Sequence, residues 1–212
     1  MKIDELRSLL GDQVVFRTGT LLAGQQKPAH VRRQLARWVK AGKVIPLRRG
    51  LYVLGGLYAK QAPHPFVLAN EMRRSSYVSM QSALAWYGCI PEFVPTITSV
   101  TTKRPEEIEN PRGCFIFRHI KQDLLWGMTR AEVAPAQFAL VASPEKALID
   151  LLYLTPHSDD EGFLDELRLE PRDRLSPDRL WQMTDRADSR KVCRAVRYLT
   201  RTWEQSKVGE AV

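Results

Sequence analysis

The sequence predicts an α+β fold in two parts, an N-terminal unit over residues 1–58 and a mixed α+β domain over residues 59–212. Three observations carry that prediction. Short helical segments bounded by Gly or Pro lead into a glycine-tipped hairpin ending at Leu54. Beyond it, β-branched and aromatic runs alternate with helix-start signals. The charge is also divided: residues 1–58 hold 11 Lys/Arg against 3 Asp/Glu, whereas residues 59–212 hold 21 of each, so the whole net charge of +8 sits on the first quarter.

In the N-terminal unit, Leu6, Leu9 and Leu10 give a first helix its apolar stripe, and Val14-Val15-Phe16 reads as an extended link. Thr18 to Ala23 predicts a second short helix ended by Gly24. Pro28 suits the first turn of a third helix, where its missing N–H costs nothing, and that helix runs to Ala41 before Gly42 stops it. Val31, Leu35 and Trp38 form its core face, and at 100° per residue His30, Arg33, Arg37 and Lys40 fall on the other side. Val44 and Ile45 then predict a strand cut short by Pro46; the chain turns on Arg48-Arg49-Gly50 and returns through Leu51 to Leu54.

Helices followed by a hairpin in this order predict a winged helix-turn-helix. In that motif the recognition helix enters the major groove while nearby elements hold the sugar-phosphate backbone. Five basic side chains from Arg32 to Lys43, with no acid among them, repel one another unless an anion is docked. His30, Arg33 and Arg37 are therefore the expected base-reading residues, Arg33 being suited to a bidentate contact with guanine. Lys27, Lys40, Arg48 and Arg49 are the expected phosphate contacts, with Lys27 placed where a phosphate could also meet the helix amides.

Gly55-Gly56 and Pro63-His64-Pro65 read as the linker between the two parts. Val67, Leu68 and Met72 then predict a helix ending at Arg73-Arg74, and Tyr77-Val78-Ser79 leads into a helix from Met80 to Tyr87 closed by Gly88. Strands are predicted at Thr96–Thr102, Phe115–Arg118 and Phe138–Ala142. Ser143-Pro144-Glu145 and Ser176-Pro177-Asp178 each combine a cap, a first-turn proline and an acid, marking two helix starts. Ala147, Leu148, Leu151 and Leu152 face inward on the first of these, and a long helix from Ser189 to Gln205 buries Val192, Val196 and Leu199.

The fragments ARWVKAGKVIPLRRGLYVL, YVSMQSALAWYGCIPE, TSVTTKR, FIFRHIK and VASPEKALIDLLY, in that order, resemble the AbiEi-type antitoxins over roughly residues 14 to 154. These are transcriptional regulators paired with nucleotidyltransferase toxins in abortive-infection systems. The resemblance implies a DNA-binding autorepressor acting at repeats in its own promoter, and a C-terminal domain that serves the antitoxin role. An inverted repeat would engage two copies, as one chain has one recognition helix.

Catalytic signatures are missing. The histidines are scattered without HExxH spacing, no glycine loop precedes a Lys-Ser/Thr pair, and no GxSxG surrounds a serine. Asp159-Asp160-Glu161 reads as an exposed loop or helix start, and Glu106, Glu107 and Glu109 as a proline-bounded loop. Neither enzymatic activity nor a cofactor or metal is expected. Lys103 and Arg104, with Arg112, form a smaller basic loop, read either as a secondary DNA contact or as a strand-end loop balanced by Glu106 and Glu107. Trp86, Tyr87, Trp126, Trp181 and Trp203 are read either as partner anchors or, as most aromatics at such positions are, as core. Cys89, Cys114 and Cys193 are odd in number and widely spaced, which fits a reducing cytoplasm, and MKIDELRSLL reads as an amphipathic helix, not a signal peptide. No apolar run approaches membrane-spanning length. The rival expectations are a regulator without a toxin partner, and a basic module that binds an acidic protein.

Overall fold

Helix α1 (Ile3–Leu10) begins the N-terminal unit, with Glu5 reaching back to accept from the Lys2 amide at 2.9 Å. The computed structural model describes residues 2–22, 28–169 and 174–209. Leu6 and Leu10 are buried, but Leu9 is 58% exposed; it lies about 100° round the helix from Leu10, off the one face that meets the core. Next come β1 (Val15–Arg17), α2 (Thr18–Leu22), α3 (Pro28–Lys40), β2 (Val44–Arg48) and β3 (Leu51–Leu54). Ala23, Gly24 and Lys27 lie outside the described residues.

Val14-Val15-Phe16, expected to be an extended link, falls mostly within a strand, β1 (Val15–Arg17). It pairs antiparallel with β3 (Phe16 opposite Tyr52), giving a three-stranded sheet ordered β1-β3-β2. Pro46 does not end β2. The strand lies at the sheet edge, where a residue without an N–H is tolerated, and its register shifts between Pro46 and Arg48. Gly50 takes a positive φ of 78° at the hairpin tip, and its carbonyl accepts from the Thr18 amide at 3.0 Å, tying the tip to the start of α2. Gly55, expected to be part of a linker, is packed instead: its amide donates to the Lys43 carbonyl at 2.8 Å, and a Cβ there would collide with the Gly42 carbonyl oxygen.

Successive side chains of β3 point to opposite faces. Tyr52 and Leu54 join a core built from Leu6, Leu10, Phe16, Leu21, Val31, Leu35, Trp38 and Val44. Leu51 and Val53, with Leu47, join the core of the C-terminal domain. The hairpin is thus a wall shared by both units.

The C-terminal domain runs α4 (Pro65–Met72), β4 (Ser76–Val78), α5 (Met80–Trp86), β5 (Ile97–Thr101), β6 (Glu106–Asn110), β7 (Gly113–His119), β8 (Met128–Ala134), β9 (Gln137–Ala142), α6 (Pro144–Leu154), α7 (Glu161–Glu166), α8 (Pro177–Ala187) and α9 (Arg190–Gly209). Its mixed sheet is ordered β6-β7-β5-β4-β9-β8. Glu106 to Asn110, expected to be a loop, forms an edge strand; Glu107 and Glu109 are exposed, and such charges suit a sheet edge. Ser143 and Ser176 cap α6 and α8 through the amides of Lys146 and Arg179. No described helix is long and apolar enough to cross a membrane.

Helix α6 is buried on every side from Glu145 to Leu152. Within it, Lys146 pairs with Asp150 one turn on, at 1% and 0% side-chain exposure. Asp150 also accepts from the Tyr77 hydroxyl at 2.9 Å and the Ser79 hydroxyl at 2.7 Å, so the pair bolts the helix to β4 and the start of α5. The Lys146 ammonium lies 4.6 Å from the Trp126 ring centroid, and the Arg186 guanidinium 4.4 Å from it. Burial lowers the pKa of Lys146, with the Asp150 carboxylate opposing, and burial likewise raises that of Asp150 against Lys146. Asp150→Ala would leave a buried ammonium without its counter-ion. It should cost about 3–5 kcal/mol, read as a lowered denaturant midpoint at unchanged slope.

Candidate nucleic-acid interface

Apolar side chains at three- and four-residue spacing fix the orientation of α3. Val31, Leu35 and Trp38 are held in the core at 9%, 3% and 5% exposure, which turns His30, Arg33, Arg37 and Lys40 outward, all exposed. At helical geometry these four occupy an arc of about 80° and a length of about 15 Å. Arg32 is exposed beside them. Among the described residues, none of these five side chains makes a hydrogen bond or ion pair.

The acids of the unit are committed elsewhere. Asp4 lies 3.7 Å from Arg7, Asp12 accepts from Lys60 at 2.8 Å, and Glu5 caps α1. The contact with Lys60 holds the Asp12 carboxyl below its ordinary pKa. Arg7 on α1 and Lys60 are therefore paired with acids of the unit, whereas the basic side chains of α3 are not.

The two arginines of the hairpin tip have different surroundings. Arg49 is exposed and makes no described ion pair. Arg48 departs from the expected phosphate clamp: its Nη1 donates to the Met72 carbonyl at 2.8 Å and lies 3.6 Å from Glu106 Oε2. Arg17 does the equivalent one residue earlier, donating from Nη2 to the Glu71 carbonyl at 2.7 Å and lying 3.3 Å from the Glu71 carboxylate. Glu71 and Met72 are the last residues of α4, whose terminal carbonyls lack helical partners and carry the negative end of the macrodipole. Arg73 also pairs with Glu106, and Asn110 donates to the Leu47 carbonyl at 3.2 Å. Together they form a latch between the hairpin and the C-terminal domain.

Lys103 and Arg104 lie exposed in the bend after β5, where the Lys103 carbonyl is 3.1 Å from His119 Nδ1. The expected balance by Glu106 and Glu107 is not found, because Glu106 faces Arg48 and Arg73 while Glu107 accepts from the Cys114 thiol. The loop joins β5 to β6 of the six-stranded sheet, whereas α3 belongs to the N-terminal unit with its three-stranded sheet. Sequence reasoning missed Arg17 as a latch residue, along with the Lys146–Asp150 pair. A signal for the pair was available in two opposite charges at i, i+4 with only apolar residues, Ala147-Leu148-Ile149, between them. Its members, with Tyr77 and Ser79, are at most 1% exposed, closed to any substrate. No cluster of His, Cys, Asp and Glu among the described residues could hold a metal ion.

Arg48→Ala removes a charged hydrogen bond and should lower stability by about 1–3 kcal/mol, whereas Arg49→Ala should stay within about 0.5 kcal/mol of the parent; urea denaturation compares the two.

No protein-family model and no curated protein matches the chain. Among solved structures, the crystal structure of the Rv2827c protein from Mycobacterium tuberculosis is similar, with a TM-score of 0.51 at 15% identity over 93% of this chain and 79% of that one. At that identity the likeness speaks to the fold alone: a mixed α+β chain aligned over nearly its whole length.

Proposed function

We propose that residues 1–58 form a winged helix-turn-helix that binds double-stranded DNA through α3, and that the chain is a transcriptional autorepressor serving as antitoxin to a nucleotidyltransferase toxin. The observation that carries the DNA reading is the exposed, unneutralised cationic face of α3, set on a unit whose acids are all engaged elsewhere. The order α1-β1-α2-α3-β2-β3, with β3 central in the sheet, supports the winged form. His30, Arg33 and Arg37 read base edges in this account, while Lys40 and Arg49 bind phosphate. Lys27 precedes α3 and keeps its proposed phosphate role from sequence. Arg48 is reassigned to the latch, which leaves Arg49 as the phosphate contact of the hairpin tip.

The antitoxin part rests on the sequence resemblance. It is tested by the reading frame adjoining the gene, where a nucleotidyltransferase is expected, and by rescue of growth on co-expression. A chain that leaves such a toxin fully active would be a regulator alone.

The roles assigned on α3 and the hairpin separate in binding experiments. Arg33→Ala should cost about 1–3 kcal/mol on the cognate duplex and relax preference at one base pair. Arg49→Ala should weaken all duplexes alike and reduce the salt slope by about one. Fluorescence anisotropy titrations at several salt concentrations distinguish the two, and identical behaviour of both variants would contradict the assignment.

A further inference from the structure

Strand β8 closes one edge of the six-stranded sheet: it pairs with β9 on one side, and no described strand lies on the other. Its middle reads Thr129-Arg130-Ala131-Glu132-Val133, with opposite charges placed symmetrically about Ala131. On β9, Leu140 lies opposite Arg130 and Phe138 opposite Glu132, and directly paired residues project from the same face. Both apolar side chains are exposed, Phe138 at 43% and Leu140 at 38%, and the Arg130 guanidinium lies 4.1 Å from the Phe138 ring centroid. An open strand edge that carries opposite charges in mirror positions is a surface for strand addition by a second copy of the same strand.

We propose that β8 is the contact between two copies of this chain, joined antiparallel about a two-fold axis at Ala131. In that register Arg130 meets Glu132 of the partner subunit, and Glu132 meets the partner subunit's Arg130. Phe138 and Leu140, one strand further in on β9, lie behind these side chains on the same face, and the Phe138 ring backs the Arg130 guanidinium. The charges also choose the register. A two-fold at Arg130 would set two guanidinium groups opposite each other, and one at Glu132 would oppose two carboxylates; both are unfavourable for directly facing residues. The register shift between Glu132 and Ala134 bends β8 at that point, so the straight part of the edge is short and the facing ion pairs decide the strength of the contact. Glu132 Oε1 already accepts from the Ala136 amide at 2.9 Å, which holds the carboxylate in place while its other oxygen can receive the incoming arginine. The contact does not depend on the DNA reading, although it would give a paired molecule two copies of α3.

The test is sedimentation velocity on the full chain without DNA, over a wide concentration range. A reversible dimer is expected. Arg130→Glu should weaken it about tenfold or more, because like charges then face each other twice across the axis, and Glu132→Arg should do the same. Mixing the two variants should restore association as a heterodimer, since each then offers the charge the other lacks. The double variant Arg130→Glu/Glu132→Arg should dimerise like the parent. Cooperative thermal melts and parent-like circular dichroism of these exposed-site variants confirm that they are folded. A parent that stays monomeric throughout, a dimer indifferent to the single reversals, or single variants that fail to associate when mixed would each overturn the proposal.

Discussion

Two arginines from the N-terminal unit, Arg17 and Arg48, donate to the last two carbonyls of α4, and the placement of everything before residue 55 relative to the sheet depends on that contact. Those carbonyls have no helical partners and concentrate negative potential, so guanidinium groups satisfy a hydrogen-bonding need and an electrostatic one together. Glu71 and Glu106 supply formal counter-charge at the same place. The contact has an apolar counterpart in Leu47, Leu51 and Val53, which leave one face of the hairpin sealed against the C-terminal core. A hairpin buried on both faces acts as a structural partition and holds α3 at a fixed attitude to the rest of the molecule.

This arrangement also sorts the positive charge. Arginines at the seam are matched by acids of the C-terminal domain, and those near α1 by local acids. Among the described arginines of the N-terminal unit, those left without an ion pair are Arg32, Arg33 and Arg37 on α3 and Arg49 at the hairpin tip. A cationic surface produced in this way differs from one that is merely basic on average: His30, Arg33, Arg37 and Lys40 lie together on one arc of α3. The antitoxin assignment adds a partner chemistry that the α3 surface does not itself encode, and it stands or falls separately.

Much of the fold was legible in the sequence because each element carried a local instruction. Pro28, Gly42 and Gly50 set the bounds of α3 and the hairpin, and the Ser-Pro starts set α6 and α8. Instructions that were non-local were misread. The unbroken apolar run Leu51-Tyr52-Val53-Leu54 records burial on both faces, but a hairpin free of the second domain also wants apolar residues, so the shared wall was invisible without the partner sheet. Arg48 and Arg49 look alike in sequence. Only the position of α4 makes one a latch and leaves the other exposed. Glu106 to Asn110 was hidden as a strand because its glutamates suit an edge as well as a loop, and Leu9 looked buried because a three-leucine stripe does not say how wide the covered face is. At the candidate site the outward set on α3 followed directly from helical periodicity, whereas the latch required contacts more than fifty residues apart in the case of Arg17 and Glu71.

The most direct test of the central claim is equilibrium binding of the full chain to the duplex upstream of its own gene, against a scrambled duplex of equal length and composition, at two salt concentrations. Selective binding of the upstream duplex that weakens steeply as salt rises is expected if α3 makes base contacts and displaces counterions from the duplex. Absence of binding to either duplex at low salt would contradict it, and would mean that the unmatched cations of α3 serve a partner other than DNA.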